Sequence, residues 1–204
     1  MVVEQHYKTY IENQLNKLAD YNARRIKAHI YDFHLHSKRV AESIRNLSAH
    51  MGHGEGMRDA LYWATLPHDI GKMALPLNMW DKDEKPSDDI KNQRRAHTSL
   101  GVNMIRAEFG EECDTSPFLK LLIDIVSNHH ENMDGSGYQG KTADDLTTEV
   151  RMACICDAFD GYSVHRPHFG DRDISPKAVI KRMEVEKAGQ FDPDILKIFK
   201  EIVL

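Results

Sequence analysis

The chain has 204 residues, 41% hydrophobic and 29% charged, with a formal net charge of -5. That is enough apolar chain for one well-buried core, and the acidic balance without a basic block excludes a nucleic-acid duplex or an anionic membrane surface as partner. No apolar run approaches the ~20 residues that span a bilayer and the N-terminus MVVEQHYKTYIENQ has no apolar signal core, so a cytoplasmic protein is expected, with Cys113, Cys154 and Cys156 as reduced packing residues.

Residues 1–29 predict one helix with an apolar stripe of Tyr7, Ile11, Leu15 and Leu18. Such a stripe packs on its own domain or pairs two copies into a homodimer. The body of the protein is then read as residues 30–204. Apolar residues recur at Ile26, Ile30, Phe33, Val40, Ile44, Leu47 and Met51, at steps that fit one helix face. His36 falls in a gap of that row and is therefore pointed at the core, with Asp32 one turn earlier on nearly the same face. Gly52 is the expected stop, followed by a loop over residues 53–56.

A helix from about Met57 to Leu66 sets Ala60 and Ala64 on a core face that leads at i+4 to His68, and Pro67 interrupts it. After HDIGK, residues 68–72, the chain is irregular up to Ser87, a good N-cap for a helix through Ile90, His97, Gly101 and Ile105 that turns His97 inward. Ser116-Pro117 opens a strongly apolar helix that delivers His129 and His130 at its end. Neighbours on a helix lie ~100° apart, so this tandem takes two burial sites or one site reached from two sides. A helix from about Thr148 carries Val150, Ala153, Asp157 and Gly161 at three- and four-residue steps, which puts the charge of Asp157 on an apolar face. Ser175-Pro176 and Asp192-Pro193 open the last two helices. No alternating strand pattern, repeat or low-complexity tract interrupts this series, and the predicted fold is an all-α, single-domain bundle.

Seven polar groups thus point inward: His36, His68, Asp69, His97, His129, His130 and Asp157. Buried without partners, each costs ~1 to 3 kcal/mol or more. A cation removes that cost. Imidazole and carboxylate without thiolate suit Fe, Mn or Zn in a water-bearing catalytic site better than a closed structural zinc site. Seven ligands exceed what one first-row ion takes, so two divalent ions are expected, with the two oxygens of Asp69 as the natural bridge. Such a pair lowers the pKa of a bridging water and neutralises a phosphoester under attack. Lys72, four residues after His68, is assigned to a phosphate oxygen or to orienting the nucleophile, and Tyr138 to stacking on or hydrogen-bonding the substrate. Glu131 and Asp134 are read as loop anchors, and Asp160 as a salt-bridge partner.

In order along the chain, HDIGK, Leu75-Pro76, the isolated His97 in HTSLG, HHENMDGSGYQG from His129 and DAFDGYSVHRP from Asp157 resemble the HD-GYP class of the HD-domain phosphohydrolases, over about residues 30–204. The resemblance implies an HD-type helical fold with a di-iron or di-manganese centre that hydrolyses cyclic dinucleotides, chiefly cyclic di-GMP, to the linear form. It implies that His36, His68, Asp69 and Asp157 hold one metal and Asp69, His97, His129 and His130 the other, while Asp32 stands where three-metal members carry a glutamate. Arg166 matches a phosphate-binding guanidinium. Two departures bear on the substrate loop. Gln139 replaces a proline, which removes a fixed φ and is expected to loosen the loop. His168-Phe169 follows Arg166-Pro167 where the family has a further basic residue, for which Arg172 is the nearest substitute. The alternatives are an HD-type nucleotide phosphomonoesterase and a non-catalytic module that binds a cyclic dinucleotide or a protein; the seven filled ligand positions weigh against the latter. The length leaves no room for a receiver domain, so regulation in trans is expected.

Overall fold

Caps and apolar period coincide at the start of most helices, and there the chain folds as its pattern predicts. The computed structural model describes residues 1–28, 30–81, 86–165 and 170–204. Among them nine α-helices form: α1 (Gln5–Ala23), α2 (Phe33–His50), α3 (Glu55–Thr65), α4 (Asp88–Arg95), α5 (His97–Phe109), α6 (Pro117–Asn128), α7 (Thr148–Tyr162), α8 (Pro176–Lys181) and α9 (Pro193–Val203). Ser87, Ser116, Thr147, Ser175 and Asp192 each accept a backbone N–H of the first turn, with proline following at α6, α8 and α9. No strand forms among the described residues; an isolated bridge joins Asp134 to Thr142.

The core gathers around α6, whose fully buried Leu119, Leu122, Ile125 and Val126 share one cluster with Leu61 and Ala64 of α3 and Val150 and Ile155 of α7, both helices packed on α6, and with Ile44 and Leu47 of α2. The stripe of α1 is covered inside this same chain, so it is not a free pairing face. Tyr7, Ile11 and Leu15 enter the main core, with the Tyr7 ring 5.2 Å from Phe118, and Leu18 joins a second cluster with Tyr21 and Phe33.

Two expectations are corrected. Residues 24–28 and 30–32 are not helical, and Ile26 is 85% exposed instead of lying on the core row. Arg25 takes the inward place. Its Nη1 donates to Asn22 Oδ1 (2.9 Å) and to the Tyr31 carbonyl (2.8 Å), its Nε to Asp81 Oδ1 (3.2 Å), and its guanidinium stacks on Phe33. Asp32 then restarts the helix by accepting the Leu35 N–H at 2.9 Å. The boundary expected at His29 lies outside the described residues. The helix expected through His97 is also two helices, α4 and α5, with the turn at Ala96 bringing His97 Nδ1 within 2.6 Å of the Arg94 carbonyl.

Around the end of α1, the Trp80 indole N–H donates to Tyr21 Oη (3.0 Å), and that hydroxyl donates to the Leu75 carbonyl (2.7 Å). This chain ties α1 to the segment that follows HDIGK.

Candidate metal centre

Five elements converge on one buried point. α2 supplies His36, the turn after α3 supplies His68, Asp69 and Lys72, the first residue of α5 is His97, the end of α6 supplies His129 and His130, and α7 supplies Asp157. Pro67 ends α3, and a 3-10 turn, Ile70–Ala74, packs against α5. Glycine makes that approach feasible: a Cβ on Gly71 would overlap the His97 carbonyl and sit 2.5 Å from Gly101 N.

All seven expected groups meet. Asp69, His97, His129 and His130 form one set and His36, His68 and Asp69 another, each with ligand atoms within 4.8 Å of one another. Asp69 spans the sets. Its Oδ2 lies 3.4 Å from His68 Nε2 and 3.5 Å from His36 Nε2, and its Oδ1 3.3 Å from His97 Nε2. Asp157 reaches His36 Nε2 at 3.0 Å and His130 Nδ1 at 3.4 Å. Asp32 belongs to neither set, because its carboxylate caps α2.

The outer nitrogens fix the tautomers. His68 Nδ1 faces the Thr65 carbonyl (2.9 Å), His97 Nδ1 the Arg94 carbonyl, and His129 Nδ1 the carbonyls of Ile125 and Val126 (3.2 and 3.1 Å). A carbonyl only accepts, so Nδ1 carries the hydrogen and Nε2 presents its lone pair inward. Burial, against the pull of Asp69, lowers His97 to about 3, and burial with His130 and His68 nearby holds His129 well below its usual value. Both rings are therefore neutral at neutral pH, and their Nε2 lone pairs face each other at 3.3 Å. Asp69 is in the same condition. Burial pushes its carboxyl up, but Lys72 and His68 overcome this and hold it well below the carboxylate range, while Oδ1 is buried without a hydrogen bond. Opposed lone pairs and an orphaned carboxylate oxygen are what divalent cations satisfy, so the donor set fits a pair of them. The nearby thiol of Cys154 is buried, pushed up by that burial, and donates to the Asn128 carbonyl instead.

His36 differs. Burial lowers it, but hydrogen bonds to Asp157 and Asp160 outweigh burial and raise it. Asp160 makes the expected salt bridge, its Oδ1 accepting Arg39 Nε at 2.6 Å, and its Oδ2 also holds His36 Nδ1 at 2.6 Å. Sequence reasoning missed this second contact, although His36 and Asp160 both sit on inward-facing helix turns.

Lys72 is 8% exposed, with its ammonium against the Asp69 carboxylate inside a box of Phe33, Trp80 and Tyr31 at 4.6, 5.5 and 5.9 Å. Tyr138 leans on His130 with ring centres 4.6 Å apart, and burial raises its phenol to about 12. Its loop is tied down, contrary to the expectation of looseness. Gln139 donates its backbone N–H to Glu131 Oε1 (2.7 Å), a bond proline cannot make, and its side-chain amide to the Ser127 carbonyl (2.8 Å) and Asn128 Oδ1 (3.1 Å). Glu131 Oε2 also accepts the Lys141 N–H at 2.9 Å, and Asp134 accepts from Ser136, so both acids anchor the loop as expected. Arg166, His168 and Phe169 lie outside the described residues, and Arg172 is not among the cavity-lining side chains.

A cavity of about 590 Å³ opens over the centre, within the size range of small-molecule sites. Seven Lys and Arg side chains line it against two carboxylates, so an acidic protein presents a cationic mouth. Arg25, Lys27, Lys91, Arg94, Arg95 and Lys187 in this lining were missed from sequence; for Lys91, Arg94 and Arg95 the signal was the basic i, i+3, i+4 row on the helix that ends just before His97.

The HD domain family model matches residues 34–162. The chain is similar to a cyclic di-GMP phosphodiesterase of Pseudomonas aeruginosa, 32% identical over 69% of this chain and 32% of that protein. It is also similar to the 3'3'-cGAMP-specific phosphodiesterase 1 of Vibrio cholerae, 28% identical over 80% of this chain and 36% of that one. A cyclic di-GMP phosphodiesterase of Thermotoga maritima is 23% identical over 92% of this chain and 47% of its own length. The chain thus spans from about a third to about half of these relatives. Among solved structures, the fold is similar to an HDG"Y"P protein from Bdellovibrio bacteriovorus, with TM-score 0.68 and 16% identity over 96% of this chain and 63% of that one. It is likewise similar to the HD domain of the L. monocytogenes phosphodiesterase PgpH in complex with cyclic-di-AMP, with TM-score 0.58 and 17% identity over 95% of this chain and 92% of that one.

Proposed function

This chain belongs to the HD domain family, and from that premise we propose that it is a metal-dependent phosphodiesterase that opens a cyclic dinucleotide, cyclic di-GMP or a close relative, to the linear dinucleotide. The observation that carries the reading is the pair of neutral imidazoles, His97 and His129, whose Nε2 atoms face each other at 3.3 Å beside a carboxylate oxygen of Asp69 without a partner. Two divalent ions resolve that arrangement. His36, His68, Asp69 and Asp157 would hold one and Asp69, His97, His129 and His130 the other, with Fe or Mn favoured by a donor set without thiolate. When bound, the ions supply an activated water and neutralise charge that builds on the phosphate.

The remaining work falls to side chains of this chain. Lys72 sets its side-chain nitrogen beside Asp69, where it offsets the charge of that carboxylate and offers N–H donors to a phosphate oxygen. Tyr138, with its phenol raised to about 12, stays protonated at neutral pH and presents a hydroxyl donor to the substrate. Arg166 would add a bidentate phosphate contact. The cationic lining of the cavity draws in a dianionic ligand that the net charge of -5 alone would repel.

The test is turnover by protein loaded anaerobically with Fe(II) or Mn(II), offered cyclic di-GMP, 3'3'-cGAMP, cyclic di-AMP and a panel of nucleoside monophosphates. The expected product is the linear dinucleotide from at least one cyclic substrate. Cleavage of monophosphates alone would replace the reading with a phosphomonoesterase, and tight binding of a cyclic dinucleotide without turnover would replace it with a binding module.

A further inference from the structure

One guanidinium in the cavity is unused by the mechanism above. Lys91, Arg94 and Arg95 stand at i, i+3 and i+4 on α4 and all three line the cavity. Two of them are engaged elsewhere. Lys91 Nζ pairs with Asp88 at 2.6 Å, while Arg94 donates to the Met79 carbonyl and stacks on Trp80 at 5.1 Å. The Arg95 guanidinium makes no hydrogen bond or ion pair with any described residue. It lies 5.1 Å from the centre of the Tyr138 ring.

That ring is the link to the metal centre, with its centroid 4.6 Å from the His130 ring and 6.2 Å from the His97 ring. Arg95 therefore packs on the same Tyr138 ring that packs on the imidazoles of the candidate metal centre. A basic residue in the last turn of a helix has an ordinary explanation in the helix dipole; what sets Arg95 apart is that its largely exposed side chain lies at the cavity mouth against Tyr138. Contact with a ring leaves the N–H groups of the planar fork available, and that fork binds a phosphate through two parallel hydrogen bonds.

We infer that Arg95 receives the second phosphodiester of a two-phosphate substrate, the one that is not cut, while the first lies at the metal centre. The inference rests on the proposed function and deepens it: a cyclic dinucleotide carries two phosphodiesters in one macrocycle, whereas a nucleoside monophosphate or a simple diester has nothing to offer Arg95. Arg95 is in this sense a specificity residue. It touches neither the scissile bond nor the ions.

The experiment uses the metal-loaded full chain and two substrates, cyclic di-GMP and bis(p-nitrophenyl) phosphate, a diester with one phosphate. Arg95→Met keeps an apolar stem on Tyr138 and removes the fork. The ratio of kcat/KM for cyclic di-GMP to that for bis(p-nitrophenyl) phosphate should fall ~10- to 100-fold, the loss typical of a hydrogen bond to a charged group, carried by KM and not kcat. Arg95→Lys should recover part of it, since it restores charge without the fork. Calorimetric titration of cyclic di-GMP into chelator-treated protein should weaken by a similar factor in Arg95→Met, with 5'-GMP binding much less affected. Equal losses on both substrates, or an unchanged KM for a cyclic dinucleotide that is still cleaved, would overturn the Arg95 inference alone. Wild-type protein that cleaves bis(p-nitrophenyl) phosphate but neither binds nor cleaves a cyclic dinucleotide would overturn the function as well.

Discussion

Asp160 stands behind the candidate metal centre, one residue removed from it. Its carboxylate fixes the His36 imidazole from behind and is itself held by Arg39. Replacing it with Asn should lower metal affinity ~10- to 100-fold, the usual effect of losing a partner behind a ligating histidine, measured by competition with a chelating indicator. Burial raises the Asp160 carboxyl, but the hydrogen bonds from His36 and Arg39 outweigh it and hold it below its ordinary value. A carboxyl depressed in the folded state stabilises above its unfolded pKa of ~3.9 and loses that contribution as pH falls through the folded value. The urea midpoints of metal-free wild type and Asp160→Asn should therefore differ at pH 6 and converge below about pH 4. Gln139 carries a second lesson. From sequence it was read only through the φ that a proline would fix, whereas its effect comes from an N–H that proline lacks and an amide that reaches α6. Gln139→Pro should cost ~1.5 to 3 kcal/mol through the lost bond to a charged Glu131, seen as a melting temperature lower by roughly 5 °C in calorimetry.

At the scale of elements, what could be read depended on local chemistry. Ser116-Pro117, Ser175-Pro176 and Asp192-Pro193 start helices because cap and proline act within one turn, and α6, α8 and α9 begin there. The converging histidines could be found from local pattern too, since periodicity turned His36, His68 and His97 inward and the apolar helix α6 delivered His129 and His130 at its end. The break between α1 and α2 could not, because a continuous apolar row concealed the end of one helix and the start of the next. What separates α1 from α2 is Arg25 bonded to Asp81, 56 positions away, and no local pattern encodes such a pairing. The 3-10 turn after Asp69 has its own test. Gly71→Ala would force that turn away from α5 and pull Asp69 from His97, now 3.3 Å apart. The variant should bind close to one ion per chain instead of two by elemental analysis, with circular dichroism reporting a still helical protein.

At the scale of the whole molecule, the opposed lone pairs of His97 and His129 are a local cost that bound cations would remove. Ligands that bind only the folded state stabilise it by ~4 kcal/mol at a thousand times the dissociation constant. Chelation should therefore lower the melting temperature by roughly 10 °C, and Mn(II) or Fe(II) should restore it more fully than Mg(II), which disfavours imidazole. The cationic lining was illegible as a whole because it is assembled from Arg25 and Lys27, from α4 and from Lys187, segments that composition reports only as a net negative charge. The tie from Trp80 through Tyr21 to Leu75 has a mechanical consequence. Trp80 and Arg25 line the cavity, and both are fastened to the last turns of α1, so a guest that steadies that wall also steadies the helix behind it. Amide hydrogens of residues 18–23, remote from any reacting atom, should exchange with deuterium more slowly once the cavity is filled.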